Sequence, residues 1–136
     1  MANRGNLSRA RTYFDSARVV FEGLVKVSPG EADFHAMLGV AYAALGHREE
    51  SIHEGIEGMK LLPVEKEALG GIFPITARIR IALINGETDT AFKYIAALIQ
   101  VPSPLSKALL KVEPMFAALR SDPRFEALIR GTENTL

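Results

Sequence analysis

The feature that most constrains this chain is a helical hydrophobic period that proline and glycine interrupt. Apolar residues recur at steps of three and four along five successive stretches, which is typical of helices that pack on one face. Proline cannot continue a helix and glycine readily leaves one. The stretches end at Ser28-Pro29-Gly30, Gly46, Pro63, Asn85-Gly86 and Val101-Pro102. No useful two-residue alternation of the strand type is present, so the sequence predicts an all-α fold of antiparallel helix pairs.

The spacing of the interruptions predicts a repeat. Pro29 and Pro63 are 34 residues apart, which is the period of a helix–turn–helix solenoid unit. Between them lies the motif Leu38-Gly39-x-x-Tyr42-x-x-x-Gly46. In this motif we expect Gly39 to permit close helix approach, Tyr42 to fill the gap between helices and Gly46 to make the turn. Followed by Pro63, this motif resembles a tetratricopeptide repeat. The resemblance implies a short α-solenoid.

Three positions depart from this family's pattern. Gly55 and Gly58 replace a bulky aromatic and a small residue of the second helix. We expect them to permit close helix approach, with a shallow pocket for a partner side chain as the alternative. Arg78 stands where the family has leucine. Either the packing is looser there, or the long stem of Arg78 carries its charge to solvent.

The sequence predicts one domain over residues 1–136, built from four parts. These are a partial first repeat with a long helix (1–30), a repeat (31–65), a repeat with a longer connection (66–103) and C-terminal capping helices (104–136). The second repeat turns at Gly86. Its connection, Val64 to Phe73, is about six residues longer than a strict period, and we expect Gly70-Gly71 to break the chain there.

Both ends of a repeat array need covering, because a terminal unit otherwise leaves an apolar face in water. Proline positions predict short helices at about 104–111, 114–120 and 123–130. Their apolar side chains are the predicted C-terminal cap: Leu105, Leu109, Leu110, Phe116, Leu119, Phe125 and Leu128. The N-terminal helix has no equivalent cap, which leaves its stripe of Phe14, Phe21 and Leu24 partly exposed. We therefore expect a homodimer through this helix.

Longer motifs carry a closer resemblance. They are Tyr13-Phe14-Asp15-Ser16-Ala17-Arg18-Val19-Val20, Leu61-Leu62-Pro63-Val64-Glu65-Lys66-Glu67-Ala68, Gly86-Glu87-x-Asp89-x-Ala91, Pro102-Ser103-Pro104-Leu105-Ser106 and Glu113-Pro114-x-Phe116-x-x-Leu119-Arg120-x-Asp122-Pro123-Arg124-Phe125-x-x-Leu128. Through these the chain resembles the C-terminal repeat region of bacterial multidomain signalling proteins, which begin with a serine/threonine kinase, a nucleotide cyclase or a winged-helix domain. This sequence has neither a glycine-rich nucleotide loop nor a kinase catalytic loop. The resemblance therefore implies a sensory or docking module.

In the tetratricopeptide family a groove is lined by first-helix residues that face away from the second helix. The corresponding residues here are Asp33, Ala36, Val40, Ala43 and Ala44 in one repeat and Phe73, Thr76, Arg80, Leu83 and Ile84 in the other. A mostly apolar groove suits an amphipathic helix or an extended segment of a partner protein. It lacks the paired lysine and asparagine with which some relatives bind a terminal carboxylate. As an alternative, the chain's own N- or C-terminal helix fills the groove and the protein is a structural spacer.

A metal-dependent enzyme, or the supporting domain of one, is a second alternative. Glu49, His53 and Glu57 are four residues apart, on one helix face. However, the second histidine of a zinc-protease helix is missing, and two ligands need a third nearby. We predict no metal, no cofactor and no enzymatic activity. His35, at the family's tryptophan position, is expected to be a partly buried packing residue.

Composition narrows the class of partner. Lysine plus arginine and aspartate plus glutamate each number 16, and this balance disfavours nucleic acid or a membrane surface as partner. Cysteine is absent, which excludes disulfides and thiolate metal sites. No apolar run approaches the roughly 20 residues of a membrane span. The sequence thus predicts a cytoplasmic, non-catalytic protein–protein interaction module of a bacterial signalling or regulatory protein.

Overall fold

The structure is a computed structural model that describes residues 4–101, 108 and 110–133. These residues form helices and no strand, which confirms the all-α expectation. The elements are α1 (Arg4–Val27), α2 (Ala32–Ala44), α3 (Arg48–Leu61), α4 (Ala68–Ile84), α5 (Thr88–Ile99), a 3₁₀ helix (Pro114–Leu119) and α6 (Pro123–Glu133). A membrane-spanning helix would need a longer apolar run than any helix in the described part of the chain contains.

Two helical hairpins, α2–α3 and α4–α5, have the same turn. Gly46 and Gly86 both adopt positive φ angles, +82° and +75°, a conformation that costs little only for glycine. The next backbone N–H closes each turn: His47 donates to the Tyr42 carbonyl at 2.9 Å and Glu87 to the Ala82 carbonyl at 2.8 Å. The same local chemistry therefore recurs after 40 residues.

The helices pack mainly on their neighbours along the chain. α2 contacts α1, α3 and α4, while α4 contacts α3 and α5 as well, and α5 contacts α6. The first helices of the two hairpins, α2 and α4, thus lie against each other. The two hairpins therefore meet through α2 and α4, and also through α3 and α4.

The expected chain break at Gly70-Gly71 was wrong. α4 begins at Ala68 and runs through both glycines. A Cβ atom at Gly71 would lie 2.5 Å from Cα of Val64, and one at Gly70 would lie 3.0 Å from Cδ2 of Leu62. The glycines therefore let the chain that follows α3 lie directly against α4 without ending the helix.

A buried hydrophobic cluster extends from Val64 into the C-terminal part of the chain. It joins α4 and α5 through aliphatic side chains such as Ile79, Ile95 and Leu98. Four predicted capping residues are buried in the same cluster and a fifth packs against it: Leu110, Phe116, Leu119, Phe125 and Leu128. The other two, Leu105 and Leu109, lie outside the described residues.

The α2–α3 hairpin packs through small residues instead. A Cβ atom at Gly39 would lie 2.8 Å from Cδ1 of Ile81 and 3.1 Å from the carbonyl oxygen of Ser51. One at Gly58 would lie 3.1 Å from the carbonyl oxygen of Ala32. The missing side chains bring the backbones of α2 and α3 close together.

α1 presents two apolar stripes. The predicted one, Phe14, Phe21 and Leu24, is half-buried. A neighbouring stripe at seven-residue intervals, Tyr13, Val20 and Val27, is more exposed. The most exposed apolar face of α1 is therefore not the one singled out by the sequence.

Candidate functional site

The predicted groove residues of α2 divide between surface and interior. Asp33 is exposed and Val40 is half-buried. Ala36 and Ala43 are buried, and the backbone of Ala36 lies beside Gly58 of α3, 3.4 Å from the position of a Cβ atom there. Neither alanine presents surface to a partner.

The predicted groove residues of α4 differ in exposure, and one of them contacts the C-terminal segment of the chain. Phe73 is exposed, whereas Thr76 is half-buried and its Oγ1 is buried without a hydrogen-bond partner. Arg80 donates to a carboxylate oxygen of Glu113 at 3.3 Å. Leu83 packs on the cluster that contains the C-terminal cap residues. Arg80 and Leu83 are therefore engaged within the chain, whereas Phe73 is exposed.

Two exposed apolar residues on these helices were missed from sequence, Met37 and Leu69. Met37 follows Asp33 by four residues and precedes Val40 by three, so helical periodicity could have found it. Leu69 gave no such signal, because the expected break at Gly70-Gly71 placed it outside the helix. We define the α2–α4 surface as the accessible residues Asp33, Met37, Val40, Phe73 and Ile84.

A hydrogen-bonded network joins α1 to α2. The Tyr42 hydroxyl donates to Oε1 of Glu22 at 2.7 Å, and Arg18 Nη1 donates to the same oxygen at 3.0 Å. Burial, together with the Glu22 carboxylate, raises the pKa of Tyr42 to about 12. In turn the Tyr42 hydroxyl lowers the pKa of Glu22. Tyr42 therefore links α2 to α1.

His35 joins α2 to α3 through polar contacts. Its Nδ1 lies 2.5 Å from Oε2 of Glu54 and its Nε2 lies 2.7 Å from the carbonyl oxygen of Pro29. Both partners are acceptors, so the arrangement suits the imidazolium, which donates from both nitrogens. Burial alone would lower the pKa of His35, but the bonds to Glu54 and Pro29 outweigh it and raise the pKa. The packing residue expected from sequence is thus also a polar link.

The acidic face of α3 borders a small cavity of about 290 Å³, lined by Tyr42, Glu49, Glu50, His53 and Glu54. Glu57, which the metal hypothesis places with Glu49 and His53, pairs with Lys60 at 3.5 Å. Among the residues that the structure describes, no three histidine, aspartate or glutamate side chains are grouped closely enough to hold a metal ion. The α2–α4 surface, with its exposed apolar side chains, is the candidate site.

Comparison of the chain with protein-family models, with curated proteins and with solved structures gives no match in any of the three.

Proposed function

We propose that the chain is a non-catalytic protein–protein interaction module of the tetratricopeptide type, which binds a partner through the α2–α4 surface. The observation that carries the proposal is the exposure of large apolar side chains on two helices that pack together. Met37, Phe73 and Ile84 are 37%, 43% and 46% exposed. The identical turns at Gly46 and Gly86 support a repeated hairpin.

The chemistry of the surface defines the partner. Apolar side chains dominate it, with Asp33 as its acidic residue. An amphipathic helix, or an extended segment with alternating apolar side chains, would bury them on binding. On the motif resemblance, we propose that the module belongs to a bacterial signalling or regulatory protein, and on its composition that it is cytoplasmic. The proposal requires no cofactor, nucleic acid or membrane.

A structural spacer is the second candidate, because Glu113 of the C-terminal segment pairs with Arg80 of the predicted groove. The Arg80–Glu113 ion pair and the packing of Leu83 are the observations that favour it. If the protein is a spacer, the exposed residues of the α2–α4 surface contribute no binding.

We also propose that α1 forms a homodimer, supported by the exposed stripe of Tyr13, Val20 and Val27. Light scattering at increasing concentration should show a dimer, and Val20→Glu should reduce it. A wild-type chain that stays monomeric at high concentration would contradict this.

Site-specific cross-linking tests the binding function. A photo-reactive residue at Phe73 should cross-link one partner protein in cells, whereas one at Ala118, exposed on the 3₁₀ helix, should not. Met37→Arg should abolish the Phe73 cross-link without lowering Tm. Equal labelling at both positions, or a cross-link that survives Met37→Arg, would favour the spacer.

A further inference from the structure

A cavity of about 380 Å³ is lined by α6 and by residues on either side of the 3₁₀ helix. Three apolar side chains form part of its wall: Leu110, Phe125 and Ile129. Leu110 and Phe125 belong to the buried hydrophobic cluster, and Ile129 packs against it. The core therefore supports this part of the wall. A small-molecule site typically has such a size and combines an apolar wall with a few charged groups.

The charged side chains around the cavity are mostly basic. They are Lys111, Arg120 and Arg130, with Glu126 as the acid among the described lining residues. Glu126 pairs with Arg130 at 2.5 Å. Within the part of the chain that the structure describes, Lys111 and Arg120 form no ion pair. Three bases against one acid leave a local excess of two positive charges.

The backbone holds the guanidinium of Arg120 in place. Its Nη2 donates to the carbonyl oxygen of Lys111 at 2.9 Å and to that of Glu113 at 3.2 Å. The Glu113 carboxylate is paired with Arg80 instead. Among the described residues, Nε and Nη1 of Arg120 have no hydrogen-bond partner. A donor that is fixed before the ligand arrives loses less entropy on binding.

Accessibility distinguishes Arg120 from Arg78 of α4. Arg78 is only 4% exposed, and its Nε and Nη1 atoms are buried without a partner among the described residues. Its guanidinium carbon lies 5.2 Å from the centroid of the Tyr94 ring. A Cβ atom at Gly55 would lie 2.9 Å from Cδ of Arg78, so the space beside this glycine is filled from within the chain. Arg120, in contrast, is exposed and lines the cavity.

We propose that this cavity binds a small organic carboxylate with an apolar body. The carboxylate lies between Lys111 and Arg120 and accepts charge-assisted hydrogen bonds, which are stronger than neutral ones. The apolar body lies against Leu110, Phe125 and Ile129, which a purely inorganic anion would leave uncovered. At about 30 Å³ per water-sized group, the cavity holds roughly a dozen non-hydrogen atoms. This site shares no residue with the α2–α4 surface.

The test uses 4-phenylbutanoate, with 4-phenylbutanamide as the neutral control and acetate as the control without an apolar body. In the full methyl-labelled chain at constant ionic strength, the Ile129 methyl resonance should shift and saturate with the acid. Nuclear Overhauser contacts should join this methyl group to the phenyl ring. The amide and acetate should each bind about fivefold or more weakly, because one loses the charge and the other the apolar contact. No saturable shift, or equal affinity for either control, overturns the proposal.

Variants assign the carboxylate to its two cations. The Lys111 side chain makes no bond to the described residues, so Lys111→Met should leave Tm unchanged. It should weaken acid binding about two- to fivefold, as expected for an accessible ion pair, and leave amide binding unchanged. Arg11→Met on α1 removes the same charge and should bind as wild type. Wild-type acid affinity in Lys111→Met, or equal weakening by Arg11→Met, overturns the proposal.

Arg120→Met should weaken acid binding further if it folds, and Lys111→Met decides alone if it does not. Glu126→Gln gives a test of opposite sign, because it removes the acid of the cavity wall and releases Arg130. This variant should strengthen acid binding about twofold or more without changing amide binding. Unchanged or weaker acid binding would place the carboxylate outside the cavity and overturn the proposal.

Discussion

The two hairpins share a turn but not a way of packing. In both, a left-handed glycine reverses the chain and the following N–H bonds to a carbonyl five residues earlier. In α2–α3, however, Gly39 and Gly58 bring backbones together, and Gly55 leaves room for the side chains of Arg78 and Ile81 from α4. In α4–α5 the corresponding interior is filled by aliphatic side chains, Ile79, Ile95 and Leu98 among them.

The difference shows that the turn follows from a local backbone requirement, whereas the core follows from tertiary packing. A positive φ angle is a local requirement, which glycine meets wherever it stands. The core depends on which atoms of neighbouring helices face each other. Dense packing can be reached either by close approach of backbones or by interdigitated side chains. The first hairpin also has polar links: His35 contacts Glu54 within it, and Tyr42 donates to Glu22 of α1.

The largest effect should come from the aliphatic core. Ile95 is fully buried, and Ile95→Ala should lower the free energy of unfolding by about 2–5 kcal/mol through lost burial and a cavity. Ile84→Ala, on an exposed position of the same hairpin, should cost less than about 1 kcal/mol. Urea denaturation measures both; similar losses would mean that the second hairpin is not held by its buried side chains.

The close packing of the first hairpin should respond to an added methyl group. Gly39→Ala places a Cβ atom 2.8 Å from Ile81 and close to backbone atoms of α3, and should cost about 1–3 kcal/mol by overpacking. Gly23→Ala meets no atom within 4 Å and should instead stabilise α1 by up to about 1 kcal/mol. If thermal unfolding shows stabilisation by both, α2 and α3 are farther apart than described.

Because the two hairpins share a turn, replacing either turn glycine should lower the free energy of unfolding by the same amount. A Cβ atom at Gly46 or Gly86 meets nothing within 4 Å, so only the positive φ angle opposes a side chain. Gly46→Ala and Gly86→Ala should each lower the free energy of unfolding by about 1–2 kcal/mol. Unequal values in urea titrations would show that the two turns are not energetically equivalent.

The smallest effect concerns pH and belongs to the first hairpin alone. The pKa of His35 is raised in the folded state above its unfolded value of about 6.5. Its contribution to stability is therefore complete below that pH and is lost as pH rises through the folded pKa. Tm should fall over this interval in the wild type and less in Glu54→Gln. His53→Gln, on the exposed face of α3, should keep the wild-type profile; a profile unchanged in Glu54→Gln would contradict the link.

Much of the fold could be predicted from sequence, because helix period, turn glycines and proline positions are local signals. The turns at Gly46 and Gly86 are examples. The expectation at Gly70-Gly71 failed because the same residue type serves a tertiary contact there, with Val64. In the candidate site, Asp33, Val40 and Phe73 are accessible as predicted, whereas Ala36 and Ala43 are buried.

The sequence by itself determined the helical class, the hairpin turns and the apolar residues available for a core, since each follows from backbone preference and periodicity within a few residues. Only the tertiary structure decided which side of each helix meets a neighbour. This arrangement of the helices buries Ala36, brings Glu113 to Arg80 and places Arg78 between Gly55 and Tyr94. These contacts join residues far apart in the chain, and their geometry depends on the relative placement of whole helices.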